Sequence, residues 1–577
     1  MHNVRHVRAC AKTLSLGRRL KQPLRPHRAL SSIAGHVPIV SLMAEAAQIE
    51  APEQAHAYIE GALKWLIALA VILCTILEVL DSSIVNVALP HMQGSFSASV
   101  DEVTWVVTTY LVAAGIMIPT TGWIAGQFGR KNYFLVCIVT FVVSSAMCGA
   151  AQTLDQMVAF RFLQGIAGAA LQPLSQAILM ETFPPNEQAL AMAMWGVGLM
   201  VAPIMGPTVG GWITDNWNWR WNFYINVPIG VAAGLMVYTF VHDPPYLRKL
   251  KGKGRADYLG ILCLVLSLGL GEIVMDRGDR ADWFQSAWVC YFSAIALSAF
   301  VLLIVHEWRT PNPILQVRLI TNRSFAVPTM LLIILTFTAY GMQILNPVFL
   351  QELLGYTAWK AGLAMAPRGM GVMAAMFLLG AIARKGYDTR KLVFLGYVLI
   401  GVAQWELSTL DLTMSISNFV WPTVVQGVGM GLIFPTLAGA ALSSVSRENM
   451  GYAASFFSMV RNIGASIGTS TLTTYLTHLE QTRQSYLVNH LTVFDAWRLG
   501  QSGPHLPGAM RFDYMHQLIT GQKQGLAMIY GQVQRQAMML SLNDIYRDLC
   551  YLMVVALIIT AFLPRIRSHG GGAAAGH

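Results

Sequence analysis

The sequence predicts an all-α polytopic membrane protein, and three observations carry that prediction. The 577 residues are 55% hydrophobic and only 12% charged, against roughly 25% charge in a soluble globular domain. Apolar stretches of about 20 residues, the length that crosses a bilayer, recur along the chain. Lys and Arg crowd into the short turns of one side, as topology demands. The net charge of +10 therefore reflects topology, and with no contiguous basic face nucleic acid is excluded as a partner. Of the seven cysteines, Cys74, Cys137, Cys148, Cys263, Cys290 and Cys550 fall in apolar stretches and Cys10 in a basic tail. That is neither a disulfide framework nor a metal spacing.

Residues 1–62 form an N-terminal tail. Positions 1–42 hold eight Lys and Arg and no acid. No apolar segment follows directly, so they are not a secretory signal. A transit peptide, a basic cytoplasmic tail and a native start at Met43 all stay open. Met43 opens an ordinary acidic leader and is the preferred reading.

Fourteen helices follow from the hydrophobic pattern: 66–89, 103–125, 133–151, 157–180, 188–213, 223–241, 258–275, 286–305, 325–349, 359–383, 391–410, 417–443, 452–476 and 549–564. With the N-terminus in the cytoplasm, fifteen Lys and Arg fall in inner loops. Only Arg220, Arg277, Arg280 and Lys360 fall in short outer ones. Both termini are thus expected inside. The loop 477–548 is outer and long, irregular around Pro504 and Pro507, with a helix expected from residue 524 into the last span.

The first helix carries Glu78 and Asp81, three residues apart and so expected on one face. A carboxylate in lipid is costly and is a functional candidate by default. Removal from water favours the protonated form, as does a second carboxylate nearby. Arg161 in helix 4 lies at a similar depth and is the expected counter-charge of Asp81, so Asp81 is the expected proton-linked group and Arg161 is expected to tune it. A static ion pair that only fixes packing is the competing reading. Helix 5 is rich in small residues: Gly198, Ala202, Gly206, Gly210 and Gly211 permit close approach, and Pro203 and Pro207 interrupt the ladder. A tight, kinkable seam between bundles is expected there. Tyr110, Trp195, Phe337, Tyr340, Met342 and Phe349 are candidate walls of an amphipathic cavity. Glu272, Glu406 and Asp411 are weaker candidates at helix ends.

The two halves repeat at an offset of 262. Gln164-Gly165 and Pro173 recur as Gln426-Gly427 and Pro435, and Ala202 and Gly206 as Gly464 and Gly468. Residues 122–131, GWIAGQFGRK, have a degenerate echo at 380–391. Helices 1–6 then correspond to helices 9–14 around a central site. The division is 63–241, a first six-helix bundle; 242–305, a basic linker and two inserted helices; 306–565, a second six-helix bundle; and a tail, 566–577. Asp81 and Arg161 map near Gly341 and Thr423. Proton chemistry is therefore expected in the first bundle, with the second mainly shaping the cavity.

These residues resemble the fourteen-spanner drug:proton antiporters (EmrB/QacA type) of the major facilitator superfamily, over residues 64–564. The resemblance rests on LDSSIVNVALP (80–90), GWIAGQFGRK (122–131), RFLQGIAGAA (161–170), APIMGPTVGGW (202–212), WRWNFYINVPIG (219–230), RGDRADWF (277–284), PRG (367–369), RNIGASIG (461–468) and LSLNDIYR (540–547). It implies a major facilitator fold and proton-driven export of amphipathic small molecules by alternating access. It implies no bound cofactor, only a proton gradient. It makes 202–212 the antiporter motif and gives Arg130 and Lys131 a role in closing the inner gate. One position departs: Gly126 stands where the family usually has an acid, so the inner latch is expected to be altered. By analogy with such pumps, the place is a bacterial inner membrane and the partners beyond the lipid bilayer are a periplasmic adaptor and an outer-membrane channel. A dedicated exporter of one metabolite class, such as a siderophore, fatty acid or antibiotic, is the alternative. A membrane enzyme is disfavoured, since His91, His242 and His306 lie on different loops. A transport-fold receptor is disfavoured by the retained Asp81 and Arg161. No GxxxxGK[ST] loop is present, which removes ATP as the energy source.

Overall fold

The computed structural model describes residues 61–184, 187–243, 257–310, 313–383, 388–412, 414–489 and 523–564. The N-terminal tail up to residue 60, most of the basic linker, positions 490–522 of the long loop and the C-terminal tail from residue 565 lie outside the described residues.

Its helices group into fourteen rods. They are α1 (Ala62–Phe96), α2 (Trp105–Met117 and Thr121–Phe128), α3 (Arg130–Ala150), α4 (Leu154–Gly168 and Leu171–Thr182), α5 (Gln188–Asn216), α6 (Asn226–Phe240) and α7 (Tyr258–Leu264, Val265–Gly269 and Leu270–Arg277). The rest are α8 (Ala287–Arg309), α9 (Arg323–Val348, then Phe349–Leu353), α10 (Ala358–Ala383), α11 (Thr389–Leu407), α12 (Ile416–Ser443), α13 (Met450–Asn489) and α14 (Lys523–Thr560). Among the described residues nine helices are long and apolar enough to cross a membrane, and ten if the two parts of α2 count as one. The other four, α4, α11, α13 and α14, are interrupted or bury polar groups such as Arg161, Gln404, Arg461 and Ser541; their neighbours supply the packing that lipid would not.

The breaks have local causes. α2 bends by 60° at residues 118–120, where Pro119 removes a backbone donor and clashes with the preceding turn. α4 is interrupted just ahead of Pro173. In α7 the segment Val265–Gly269 is a π-helical bulge, a device that inserts one residue into the ladder. The long loop is shorter than the sequence suggested. Residues 477–489 contain neither Gly nor Pro, so α13 continues to Asn489, and α14 starts at Lys523. Forty residues of α13 amount to about 60 Å, twice a bilayer core. The projecting parts are tied by the Arg483–Asp544 ion pair and by Tyr475 Oη donating to Asp548 at 2.8 Å.

The internal repeat is visible in the packing. An added Cβ on Gly165 of α4 would lie 2.5 Å from the Tyr110 carbonyl of α2, and one on Gly427 of α12 would lie 2.1 Å from the Arg368 carbonyl of α10. Gly206 of α5 meets Ser83 of α1 as Gly468 of α13 meets Phe337 of α9. Each pair of glycines 262 residues apart therefore serves the same close crossing in its own half.

Candidate functional site

Asp81 and Arg161 form a buried ion pair at 2.7 Å, with exposures of 0% and 1%. Every oxygen of Asp81 is engaged. Arg161 Nη1 donates to Oδ2; Gln164 Nε2 and Asn226 Nδ2 donate to Oδ1 at 2.9 and 2.7 Å. Arg161 is held in turn by Gln164 Oε1 and the Val106 carbonyl, at 2.9 and 3.1 Å, and its guanidinium lies 4.3 Å from the Tyr110 ring. Asn226 also donates to Ser145 Oγ at 3.0 Å. A single carboxylate thus ties α1 to α4 and α6, and through them to α2 and α3.

Glu78 does not share this site, although it stands three residues away. It points into a cavity of about 500 Å³ between the halves. Its carboxylate accepts from Gln172 Nε2 and, at 3.5 Å, from Tyr110 Oη. Opposite, from α9 and α13, Tyr340, Gln343, Arg461 and Asn462 close the wall. Arg461 is 6% exposed and its Nη1 has no hydrogen-bond partner. Asp276 at the end of α7 also lines the cavity and accepts from Thr108. The lining runs along α1 from Glu78 to the exposed Asn86, so the cavity extends towards the end of α1 opposite the basic turns.

At the basic end the halves touch. A Cβ on Gly122 would come within 2.7 Å of the Tyr452 backbone, and one on Gly451 within 3.7 Å of Gly122 Cα. Further in, Ser458 Oγ donates to Gln176 at 3.4 Å, and Trp195 of α5 stacks on Phe434 of α12 with ring centres 5.8 Å apart. Arg130 pairs with Glu181 of α4. Lys131 Nζ donates to the Tyr238 carbonyl at 2.6 Å, while its backbone N–H donates to Asp243 at 2.7 Å. Both basic residues therefore brace α3 within the first half. Gly126 faces the second half, with Tyr452 Oη 3.9 Å from where its Cβ would stand.

Three of the helix 5 glycines pack on α1 and not between the halves. Gly198 meets Ile72, Gly206 meets Ser83 and Gly210 meets Ile84. Gly211 is half-buried in the same helix. α5 runs unbroken through its prolines. Pro203 lines the cavity, and the side chain of Pro207 lies outside the described residues. The bundle-to-bundle contact of α5 is instead made by Gly196 against Met376 and Pro435.

Of the expected cavity walls, Tyr110 and Tyr340 are in place. Trp195, Phe337, Met342 and Phe349 are not. Trp195 is fully buried and donates to Thr75 Oγ1 at 2.9 Å. Met342, Phe349 and Phe337 pack in the apolar core of the second half. Aromatic and Met side chains fill cores at least as readily as they line cavities, and sequence spacing does not separate the two. Glu406 and Asp411 are away from the cavity, whereas Glu272 accepts from Ser466 Oγ at 2.7 Å. Sequence reasoning passed over Arg461 and Arg368. Both lie in apolar stretches of the second half, and the rule that singled out Asp81 would have found them. Asn226 and Gln172 carried no signal of their own.

Two helical halves related by a repeat, with a cavity between them that is walled by both and sealed at one end, define a membrane carrier. The Major Facilitator Superfamily profile matches residues 71–469. The "Multidrug export protein EmrB" of Escherichia coli K12 is 33% identical over 90% of this chain and 99% of its own length. The "Fatty acid resistance protein FarB" of Neisseria gonorrhoeae is 31% identical over 89% and 98%. Among solved structures, the human organic anion transporter MFSD10 superposes with a TM-score of 0.57 at 12% identity, over 87% of this chain and 100% of that one. The chain belongs to the major facilitator superfamily, in its EmrB-type multidrug efflux branch. It is a multi-pass membrane transporter and not an enzyme.

Proposed function

We propose that the protein exports amphipathic small molecules in exchange for protons, with Glu78 as the group that exchanges them. The observation that carries this reading is the geometry of Glu78: an acid on a cavity wall, facing Arg461 of the other half, with neutral hydrogen-bond partners only. Gln172 suits both states of the acid. Its Nε2 donates to the carboxylate, while its Oε1 is buried without a partner and, after an amide flip, would accept from the protonated acid. Asp81 and Arg161 tune this event: a proton on Asp81 would release Arg161 and loosen α1 from α4 and α6. Closure of the basic end with the cavity extending the other way is one limb of an alternating-access cycle. No bound cofactor takes part; the proton gradient is the energy source.

In this reading both termini face the cytoplasm of a bacterial inner membrane. The projecting parts of α13 and α14 meet a periplasmic adaptor that leads to an outer-membrane channel. A dedicated exporter is the second reading. A relative named for fatty acid resistance favours it, and Arg461 on the wall would suit a carboxylate cargo. Export into inverted vesicles separates them. Cationic, neutral and anionic amphiphiles are offered with and without a pH gradient. Uptake of several classes, abolished by collapsing the gradient and by Glu78→Gln, is expected. Gradient-independent uptake would refute the exchange.

A further inference from the structure

A second cavity, of about 700 Å³, lies between the inserted pair α7–α8 and α13. Its wall is apolar, and side chains that line it, Phe284, Leu297, Phe300 and Ile467, are exposed on the outer surface of the helices. The cavity therefore opens sideways, towards lipid. One carboxylate lines it, that of Glu272. Ser466 Oγ of α13 is its hydrogen-bond donor, at 2.7 and 3.0 Å to the two oxygens, and no cation pairs with it among the described ion pairs. An acid without a counter-charge in an apolar wall is stabilised by a cation that arrives with its own apolar body. Room is left on purpose-sized residues: a Cβ on Gly271 would meet nothing within 4 Å.

The place of this cavity joins it to the central one. Asn462 lines both it and the central cavity. Asp276, one turn beyond Glu272 on α7, lines the central one. The π-helical segment Val265–Gly269 precedes them, and its Gly269 packs on Ile116 of α2. From these positions we infer that the lateral cavity is a membrane-facing binding site for amphiphiles with a cationic head. Glu272 takes the head, and Asn462 joins the site to the central cavity. The inference deepens the export reading and rests on it for the kind of cargo, but the site itself is tested by binding alone.

The test is binding of tetraphenylphosphonium and its anionic isostere tetraphenylborate to the purified full-length protein, in the Glu78→Gln background to silence the central acid. The exposed thiol of Cys290, on the lateral wall, reports occupancy by its rate of alkylation, read by peptide mass spectrometry. Tetraphenylphosphonium is expected to protect Cys290 and tetraphenylborate not. Glu272→Gln should weaken the cation about 10- to 100-fold, the worth of one charge-assisted contact, and erase the preference. Gly271→Leu should exclude both ions. Thermal unfolding of each variant shows that it is folded, and Ser466→Ala supplies a milder second variant. Unchanged cation affinity in both Glu272→Gln and Gly271→Leu would overturn the site, as would a retained phospholipid that protects Cys290 and is not displaced. Absence of gradient-driven export by the protein that retains Glu78, with cation binding intact, would instead sink the export reading and leave the site standing.

Discussion

At the scale of single residues, the two acids of α1 have different surroundings and should fail differently. Asp81 has no unpaired oxygen and no exposure, so Asp81→Asn strands Arg161 as a buried, uncompensated cation. Breaking such a pair costs about 3–5 kcal/mol, whereas replacing both partners by apolar residues is often nearly neutral. Asp81→Asn is therefore expected to unfold at lower temperature than the double variant Asp81→Leu/Arg161→Met, with transport lost in both. A double variant no more stable than Asp81→Asn would show that the pair is not the source of the cost. Glu78 is only half-buried and its partners are neutral. Glu78→Gln should change stability by less than about 1 kcal/mol while flattening the response of export to an imposed pH gradient. The sequence made both acids visible because charge inside an apolar stretch stands out on its own. It could not show that they part company. A 300° rotation over three residues leaves them about 60° apart, and the positions of Gln172, Gln164 and Asn226 decide which side of that angle is sealed and which is open.

At the scale of helices, small residues set which rods touch. The spacing of Gly198, Gly206 and Gly210 correctly marks a close crossing, but spacing alone names no partner, and the partner is α1 of the same half. That makes this stretch of α5 a close clamp on the helix that carries Glu78 and Asp81. A Cβ on Gly206 would stand 2.1 Å from Ser83 Oγ, well inside contact distance. Gly206→Ala should therefore cost about 1–3 kcal/mol, the usual range for overpacking, and should disturb Ser83 and its neighbour Asp81 before it disturbs the distant contact of the halves. The measurement is thermal unfolding together with export. Gly206→Ala/Ser83→Ala should recover part of both, since it removes the clashing hydroxyl. A lack of any recovery would place the strain elsewhere. The repeat was legible for the same reason: pairs of glycines at one offset survive where side chains have diverged, because a backbone crossing tolerates no substituent. The reach of α13 beyond the membrane was less legible, whereas that of α14 was expected from residue 524. Composition marks where lipid ends, not where a helix does.

At the scale of the whole molecule, the conformation seen is one with the basic end shut by a backbone contact at Gly122, one turn before Gly126, where the resembled family usually has an acid. Gly122 lies against Tyr452 and Gly451 at the start of α13, with Gly126 one turn on. The N-terminus of a helix carries a partial positive charge, and an acid there contributes about 0.3–1 kcal/mol. Gly126→Asp has room for its Cβ, would bring a carboxylate beside Tyr452 Oη, and would add that attraction only while the end is shut. It should shift the populations towards the shut state by about 2- to 5-fold. Gly122→Leu acts with the opposite sign, since its side chain has no space against Tyr452 while the end is shut. Cysteines placed along the central cavity and alkylated from either side of oriented vesicles would read the balance: less labelling from the basic side in Gly126→Asp, more in Gly122→Leu. If α2 and α13 form the moving contact of the cycle, both variants should slow export, one by holding the basic end shut and the other by holding it open. Equal labelling in the two variants would mean that the halves part along some other seam, with Gly196 and Met376 the next contact to examine.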